Sequence, residues 1–500
     1  MYGAPGSRRF VPFWVFVKIT ERRSWEIQAM WRVLWCTKAS QEEGSMKNRS
    51  GRSRNPRPSG RGGGQVKKLN MSAGGIMKRA SSLDEITLGF SFFSESYKSF
   101  GGFYACKARG GSQEYVLDSP LLHRENQNAH LLLGHRGSGK SMELGMLKEN
   151  LQRKGHKVSV VQCRHEVGGG MMMTLSYYDL LILAGKHLYE LAREANCPLP
   201  ESLLDNIGRF WGDIEIFTLR ACGEGMDIRE KISVLFSGLA EEVRVGIDTK
   251  EAVRGQVKEN IDQWVGCLAE ISDSIAASCS FGKKPVIIFD DLDKLLPVKT
   301  WEIFENPLSK MPFIVICTFP IELSCDPRFA ELKSSFVVHT LPAIKVRHHM
   351  SQGGGPFLDG IVEIKAIAGN CMDLSLFEED ALSLLIEKTG GVLGDFLECV
   401  GRAADRAQSR KAEKIEKEDA VFALNHLFSY RVKFVWKDNF PLLRSIHERK
   451  RRMQHVEEWE MLLEMMQVNV VIEYNDGIDY LDLHPLTEDY LRRHGELGPG

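Results

Sequence analysis

Residues 129–144 read AHLLLGHRGSGKSMEL, and the fold turns on how they are read. Three leucines in succession predict a strand buried on both faces. The run breaks at Gly134, passes through Gly137 and Gly139, and resumes after Lys140-Ser141 as an amphipathic helix that closes at Gly155. Glycines at such a turn let backbone N–H groups converge on an anion with no side chain in the way. The helix start aims its partial positive end at the same point. The run Gly134-His135-Arg136-Gly137-Ser138-Gly139-Lys140-Ser141 satisfies G-x-x-x-x-G-K-[ST] in full. It predicts a loop that binds the phosphates of ATP through Gly134, His135, Arg136, Gly137, Ser138, Gly139, Lys140, Ser141 and Met142. Lys140 would neutralise β/γ-phosphate charge, and Ser141 would place its hydroxyl on Mg2+.

Binding phosphate does not make a hydrolase; a second element must hold the metal and position water. The stretch VIIFDDLDK, residues 286–294, supplies one. Val286 to Phe289 predict a dry strand, with Asp290 and Asp291 emerging at its carboxyl end, where ligands gather in a doubly wound sheet. Asp290 is expected to contact Mg2+ and Asp291 to polarise the attacking water. Asp at 291, where many such enzymes have Glu, predicts slow turnover. Asp293 is expected to cap or bond locally. Thr318 ends a fourth strand, MPFIVICTFP, and is placed to sense the terminal phosphate or orient water.

Outward from these motifs the chain is α/β. HKVSVVQC is a further strand, and YYDLLILAGKHLYELAREA has helical spacing. Strands alternating with helices predict a doubly wound parallel sheet. A helical insertion covers about 200–280, with KENIDQWVGCLAEISDSIAAS its clearest helix. Beyond about residue 345 the sequence is helical, with two helices around Gly390-Gly391. Near the C-terminus it runs helix, strand, Asn475-Asp476-Gly477, strand, which suits the wing of a winged helix. The expected domains are 1–75, a disordered basic tail; 76–345, the nucleotide-binding domain; 346–428, a helical lid; and 429–495, a winged-helix-like module.

The formal net charge of -1 over 500 residues conceals an asymmetry. Residues 1–70 carry 15 Lys/Arg against 4 Asp/Glu, while the remaining 430 carry 50 against 62. The body is thus mildly acidic, which argues against a nucleic-acid surface spread over all of it. The basic tract cannot bury a core. It is expected to be disordered, a start codon placed too early with Met71 or Met77 the true start being one origin of it; a nucleic-acid arm or transit peptide is the alternative. The 11 scattered cysteines form no C-x-x-C pair and are expected to be free thiols of a cytoplasmic protein. No run approaches the ~18 apolar residues needed to cross a bilayer.

Taken in order, LLLGHRGSGKS, VIIFDDLDKL, IVICTFPIEL, TGGVLGDFLECVGRA and VVIEYNDGIDYLDLHPL resemble the segments of bacterial AAA-like and STAND P-loop ATPases, relatives of the origin-recognition ATPases. The resemblance spans roughly residues 85–490. It implies a sheet in which the loop strand is flanked by the acidic and sensor strands, then a lid, then a winged helix. It also implies that Asp290 holds Mg2+, Asp291 activates water and Thr318 is the first sensor. The sequence departs from the group at Gly394, where many relatives carry an arginine before Asp395. Weak lid closure is expected from that loss unless Arg402, further along the helix, substitutes. Arg254 is expected to be a solvated helix charge, with an intersubunit arginine finger the alternative.

Three functional readings follow. The first is an ATP-dependent conformational switch that works through a protein partner or self-association. The second is a DNA-binding initiator or loader. Arg444, Arg449, Lys450, Arg451 and Arg452 favour it; the aspartates of NDGIDYLD, which would repel a duplex, oppose it. The third, a membrane-linked ATPase of the KAP kind, lacks its transmembrane helices. A kinase-like transferase has no acceptor-site signature.

Overall fold

The leucines that open the sequence argument form β1 (Ala129–Gly134), every residue of which is buried. In the computed structural model, residues 79–92, 128–168, 172–212, 226–245, 250–279, 282–348, 355–449, 458–475 and 479–498 are described. The basic tract, Lys450 to Arg452, Asp476 and Gly477 lie outside them. β1 belongs to a five-stranded parallel sheet with β2 (Val158–Gln162), β3 (Val286–Asp290), β4 (Ile314–Pro320) and β5 (Val337–Thr340), in the order β2-β3-β4-β1-β5. The loop strand therefore lies between β4 and β5. The acidic strand is one position further away, which corrects the expectation that it flanks β1 directly. Burial explains the order: β1, β3 and β4 are buried throughout and take the centre, while β2 and β5 keep half-buried residues and take the edges. β5, four residues long, has no counterpart in the sequence reading.

Alternation along the strands sorts the two faces. Leu132, Val286, Ile288, Ile314 and Ile316 face α1 (Lys140–Arg153) through Leu144, Leu147 and Leu151. Leu131, Leu133, Ile287, Phe289, Val315 and Cys317 join the larger core on the other face, built with α2 (Tyr177–Glu194) and the insertion helices. The insertion comprises α3 (Glu201–Trp211), α4 (Ile228–Val245), α5 (Lys250–Glu259) and α6 (Ile261–Ser278). The single helix expected across the last two is broken at Asn260. Trp211 and Trp264 meet edge to face inside it, with ring centroids 5.2 Å apart. Arg254 corrects its expectation as well. It donates from Nε at 2.9 Å to Asp179, a wholly buried carboxylate that also caps the start of α2. A charge committed to that pair is neither a solvated surface group nor free to reach another subunit.

After β5 come α7 (Leu358–Cys371), α8 (Glu379–Lys388), α9 (Leu393–Ser409) and α10 (Lys417–Arg431), packed around Ile364, Leu385, Phe396 and Val400. Leu83 and Ile86, assigned by sequence to the nucleotide-binding domain, pack into this helical cluster instead. The C-terminal part contains α11 (Phe440–Arg449), α12 (Trp459–Gln467), the antiparallel pair β6 (Val471–Asn475) and β7 (Asp479–Leu483), and α13 (Pro485–Arg493). Leu443, Leu462, Met466, Val471 and Leu491 belong to the same core as the sheet. The eight described cysteines are free thiols.

The Gly390-Gly391 turn joins these parts. Both residues have positive φ, and a Cβ on Gly391 would lie 1.6 Å from the Ile344 carbonyl oxygen. Tyr474 Oη donates to the Gly390 carbonyl at 2.6 Å, tying the turn to β6. Gly391→Ala should therefore destabilise the chain by about 3 kcal/mol or more, read as a lowered urea midpoint; a midpoint within error of the parent would refute this packing.

Candidate functional site

The loop between β1 and α1 is shaped by its glycines. Gly137 and Gly139 have φ of 78° and 98°, and a Cβ on Gly134 would stand 2.7 Å from Ser138 Oγ. L-residues with side chains resist both demands. The amides of Lys140, Ser141 and Met142 open a helix and have no intrahelical acceptor, so they supply the donors an anion needs. Lys140 is 5% exposed; its Nζ donates to the carbonyls of Gly134 at 2.6 Å and His135 at 2.9 Å, and pairs with Asp293 at 2.9 Å.

The acidic strand end reaches this loop across β4. Ser141 Oγ donates to Asp290 Oδ2 at 2.7 Å, joining two residues 149 apart in sequence. Asp290 is buried, and burial followed by repulsion from Asp291 and Asp293 raises its pKa well above the usual carboxylate range. A divalent cation would invert that balance. Asp291 stands at the same strand end in the left-handed region, at φ 71°, with its carboxylate paired to Lys294. Asp293 is not the local cap expected from sequence. It is the buried counter-ion of Lys140, and its own amide donates to Thr318 Oγ1 at 3.3 Å. Thr318, wholly buried, thus supports the turn that carries Asp293.

Glu322 was absent from the sequence reading, and His135 was expected only as one residue of the phosphate loop. Glu322 follows β4, and burial lifts its pKa to about 7 against the opposing pull of Arg136 and Lys140. His135 is buried, and its pKa falls to about 3, by burial first and then by Lys140 and Arg431. It is therefore neutral at ordinary pH, and its Nε2 accepts the Glu473 N–H at 2.7 Å. No local signal marks Glu322, and the neutrality of His135 depends on burial and on distant Arg431 as well as on nearby Lys140.

The lid and the C-terminal module both close on the loop backbone. Gly394 N–H donates to the Gly137 carbonyl at 2.8 Å, and Asn469 Nδ2 to the Arg136 carbonyl at 2.9 Å. The expectation of weak lid closure is corrected here. A Cβ on Gly394 would stand 2.8 Å from Gly137 Cα, so the missing arginine is what permits the backbones to touch. Arg402 is engaged with Glu398 on its own helix, at 3.0 Å. Next to Gly394, Asp395 is buried with Arg431 and His484. Burial works to raise its pKa, but the Arg431 guanidinium and the interaction with His484 outweigh burial and hold it below the usual range.

The strand order, glycine loop and Ser141–Asp290 contact define a P-loop NTPase fold. No protein-family model matches the chain, and no curated protein matches it. Among solved structures, the chain is similar to the ORC2 protein of Aeropyrum pernix in its ADPNP–ADP complexes, at 11% identity and a TM-score of 0.34, covering 74% of this chain and 89% of that one. It is similar to Cdc6p from Pyrobaculum aerophilum at 15% identity and 0.29, covering 76% and 95%. With the RuvB Holliday junction branch migration motor of Thermotoga maritima the values are 11% and 0.30, covering 74% and 88%. These likenesses are distant.

Glu473, buried on β6, has its pKa raised to about 8 by burial, with Asp479 adding to it. A raised folded-state pKa favours folding below the ordinary value of 4.5, and that contribution is lost as pH rises through about 8. Glu473→Gln should therefore be more stable than the parent near pH 8.5, by up to about 3 kcal/mol, with the gap closing near pH 5. Denaturant melts at the two pH values check this; a gap that does not change with pH contradicts it.

Proposed function

We propose that the chain binds ATP with Mg2+ in the β1–α1 loop and hydrolyses it slowly as a conformational switch. The observation that carries this reading is the 2.7 Å contact of Ser141 with Asp290, which presents a hydroxyl and a carboxylate side by side at the start of the helix that follows the glycine loop. Such a pair suits a hard, oxygen-seeking cation, and Ser141 and Asp290 would hold the Mg2+. The cation, when bound, supplies charge neutralisation and orientation of the phosphates.

The chain's own residues do the rest. Gly134 to Met142 offer backbone amides, and Lys140 turns its ammonium from Asp293 and the loop carbonyls toward the phosphates. Asp293 fixes where that ammonium rests, and Thr318 steadies the Asp293 backbone. Asp291 takes the proton of the attacking water once Lys294 yields its carboxylate. A second reading gives that proton to Glu322, because a buried carboxyl lifted to about 7 is poised for general base work at neutral pH.

The switch reading is supported by the lid and C-terminal module, which hydrogen-bond the loop itself through Gly394 and Asn469. The helices around β6 and β7 suit a winged-helix module of the STAND kind, and Trp436 and Tyr430, both more than half exposed, suit a protein partner. No described helix is long and apolar enough to cross a membrane. A DNA-binding loader is the alternative; Asp479 and Asp482 on β7 disfavour a duplex there.

Lys140→Ala should abolish binding of a fluorescent ATP analogue, and unchanged affinity would remove the loop from the site. Asp291→Asn and Glu322→Gln separate the two proton acceptors. The true one should lose at least about 100-fold in phosphate release while still binding nucleotide, and the other should stay within a few-fold. Stimulation of release by duplex DNA would move the loader reading ahead of the switch.

A further inference from the structure

Arg431 ends α10 and is 4% exposed, in a seam where three elements meet. Its Nη2 pairs with Asp395 of α9, and its Nη1 donates to the Val468 carbonyl at the end of α12. His484 Nε2 lies 3.2 Å from the same Asp395 oxygen. The remaining guanidinium nitrogen, Nε, is buried with no hydrogen-bond partner among the described residues. A buried guanidinium with an idle donor is under-satisfied.

The location of its partners gives Arg431 meaning. Asp395 follows Gly394, whose amide bonds the Gly137 carbonyl, and Val468 precedes Asn469, whose side chain bonds the Arg136 carbonyl. Both partners are thus next in sequence to residues that touch the phosphate loop. The guanidinium also contributes to keeping the loop's His135 neutral, so its field reaches the loop. Position 394 itself carries no side chain.

We propose that Arg431 senses the terminal phosphate of the bound nucleoside triphosphate, exchanging Asp395 for a phosphate oxygen and so loosening the lid from the C-terminal module. Resting on the nucleotide-binding reading above, the assignment gives that site its discrimination between triphosphate and diphosphate. Asp395 holds the cation until a more highly charged acceptor competes for it, and guanidinium geometry suits phosphate in bidentate fashion. Breaking the Asp395 pair frees α9 from the residue that also anchors the end of α12.

The test is titration calorimetry of the full chain with ADP and with a non-hydrolysable ATP analogue, both with Mg2+. Removing one partner strands a buried charge, so Arg431→Met is paired with Asp395→Leu in one double variant that leaves the seam neutral. That variant should lose about tenfold in the ratio of triphosphate to diphosphate affinity. Asp395→Asn, which keeps the shape and removes the competing charge, should raise the ratio at least about threefold. Thermal melts show that each variant is folded. An unchanged ratio in both, or equal losses for the two nucleotides, reduces Arg431 to a structural tie and overturns the proposal. A parent chain that binds neither nucleotide overturns the nucleotide reading itself, an outcome separable from the other because it appears before any substitution.

Discussion

Ser141 and Asp290 are brought within 2.7 Å of each other by a strand that belongs to neither. β4 stands between β1 and β3, and the parallel register sets Thr318 opposite Leu132 and Cys317 opposite Phe289. The carboxyl ends of β1, β3 and β4 consequently open on one side of the sheet, where side chains from α1 and the acidic turn can meet. The central sheet depends on β4 being buried along its whole length. Only a strand apolar on both faces can sit with paired neighbours on either edge and helices above and below.

Around that meeting point, charge is balanced locally. Lys140 has Asp293, Lys294 has Asp291, and Arg431 has Asp395. The Lys140–Asp293 and Arg431–Asp395 pairs are buried, so their attraction offsets a desolvation cost of several kcal/mol per ion and adds little net stability. Their consequence is specificity of arrangement. Each cation has one acid to which it is committed, and an incoming anion competes with that acid.

The lid and the C-terminal module hydrogen-bond the loop backbone rather than side chains of the sheet. Gly394 meets Gly137 because neither has a Cβ, and Asn469 reaches the neighbouring carbonyl. Contacts made to backbone are sensitive to peptide orientation, so any ligand that reorients the loop is felt directly by both neighbours. Two hydrogen bonds thus connect the loop to the lid and the C-terminal module.

Much of this was legible in the residues themselves. The glycine spacing, the Lys140-Ser141 pair, the dry strand ending in Asp290 and the Gly390-Gly391 turn are local patterns, and local stereochemistry dictates them. Other features were not. The order of the strands, the capture of Arg254 by Asp179, the pairing of Lys140 with Asp293 and the engagement of Arg431 depend on which segments pack together. β5 is too short to show a period. Glu322 and His135 look ordinary in sequence because a carboxyl or an imidazole takes its proton affinity from its surroundings, and those surroundings include residues more than a hundred positions away, Arg136 for Glu322 and Arg431 for His135. What the amino-acid order determined alone was the chemistry on offer at each turn; which groups face one another, and in what electrical environment, was decided only when the sheet closed and the lid and C-terminal helices settled on its carboxyl edge.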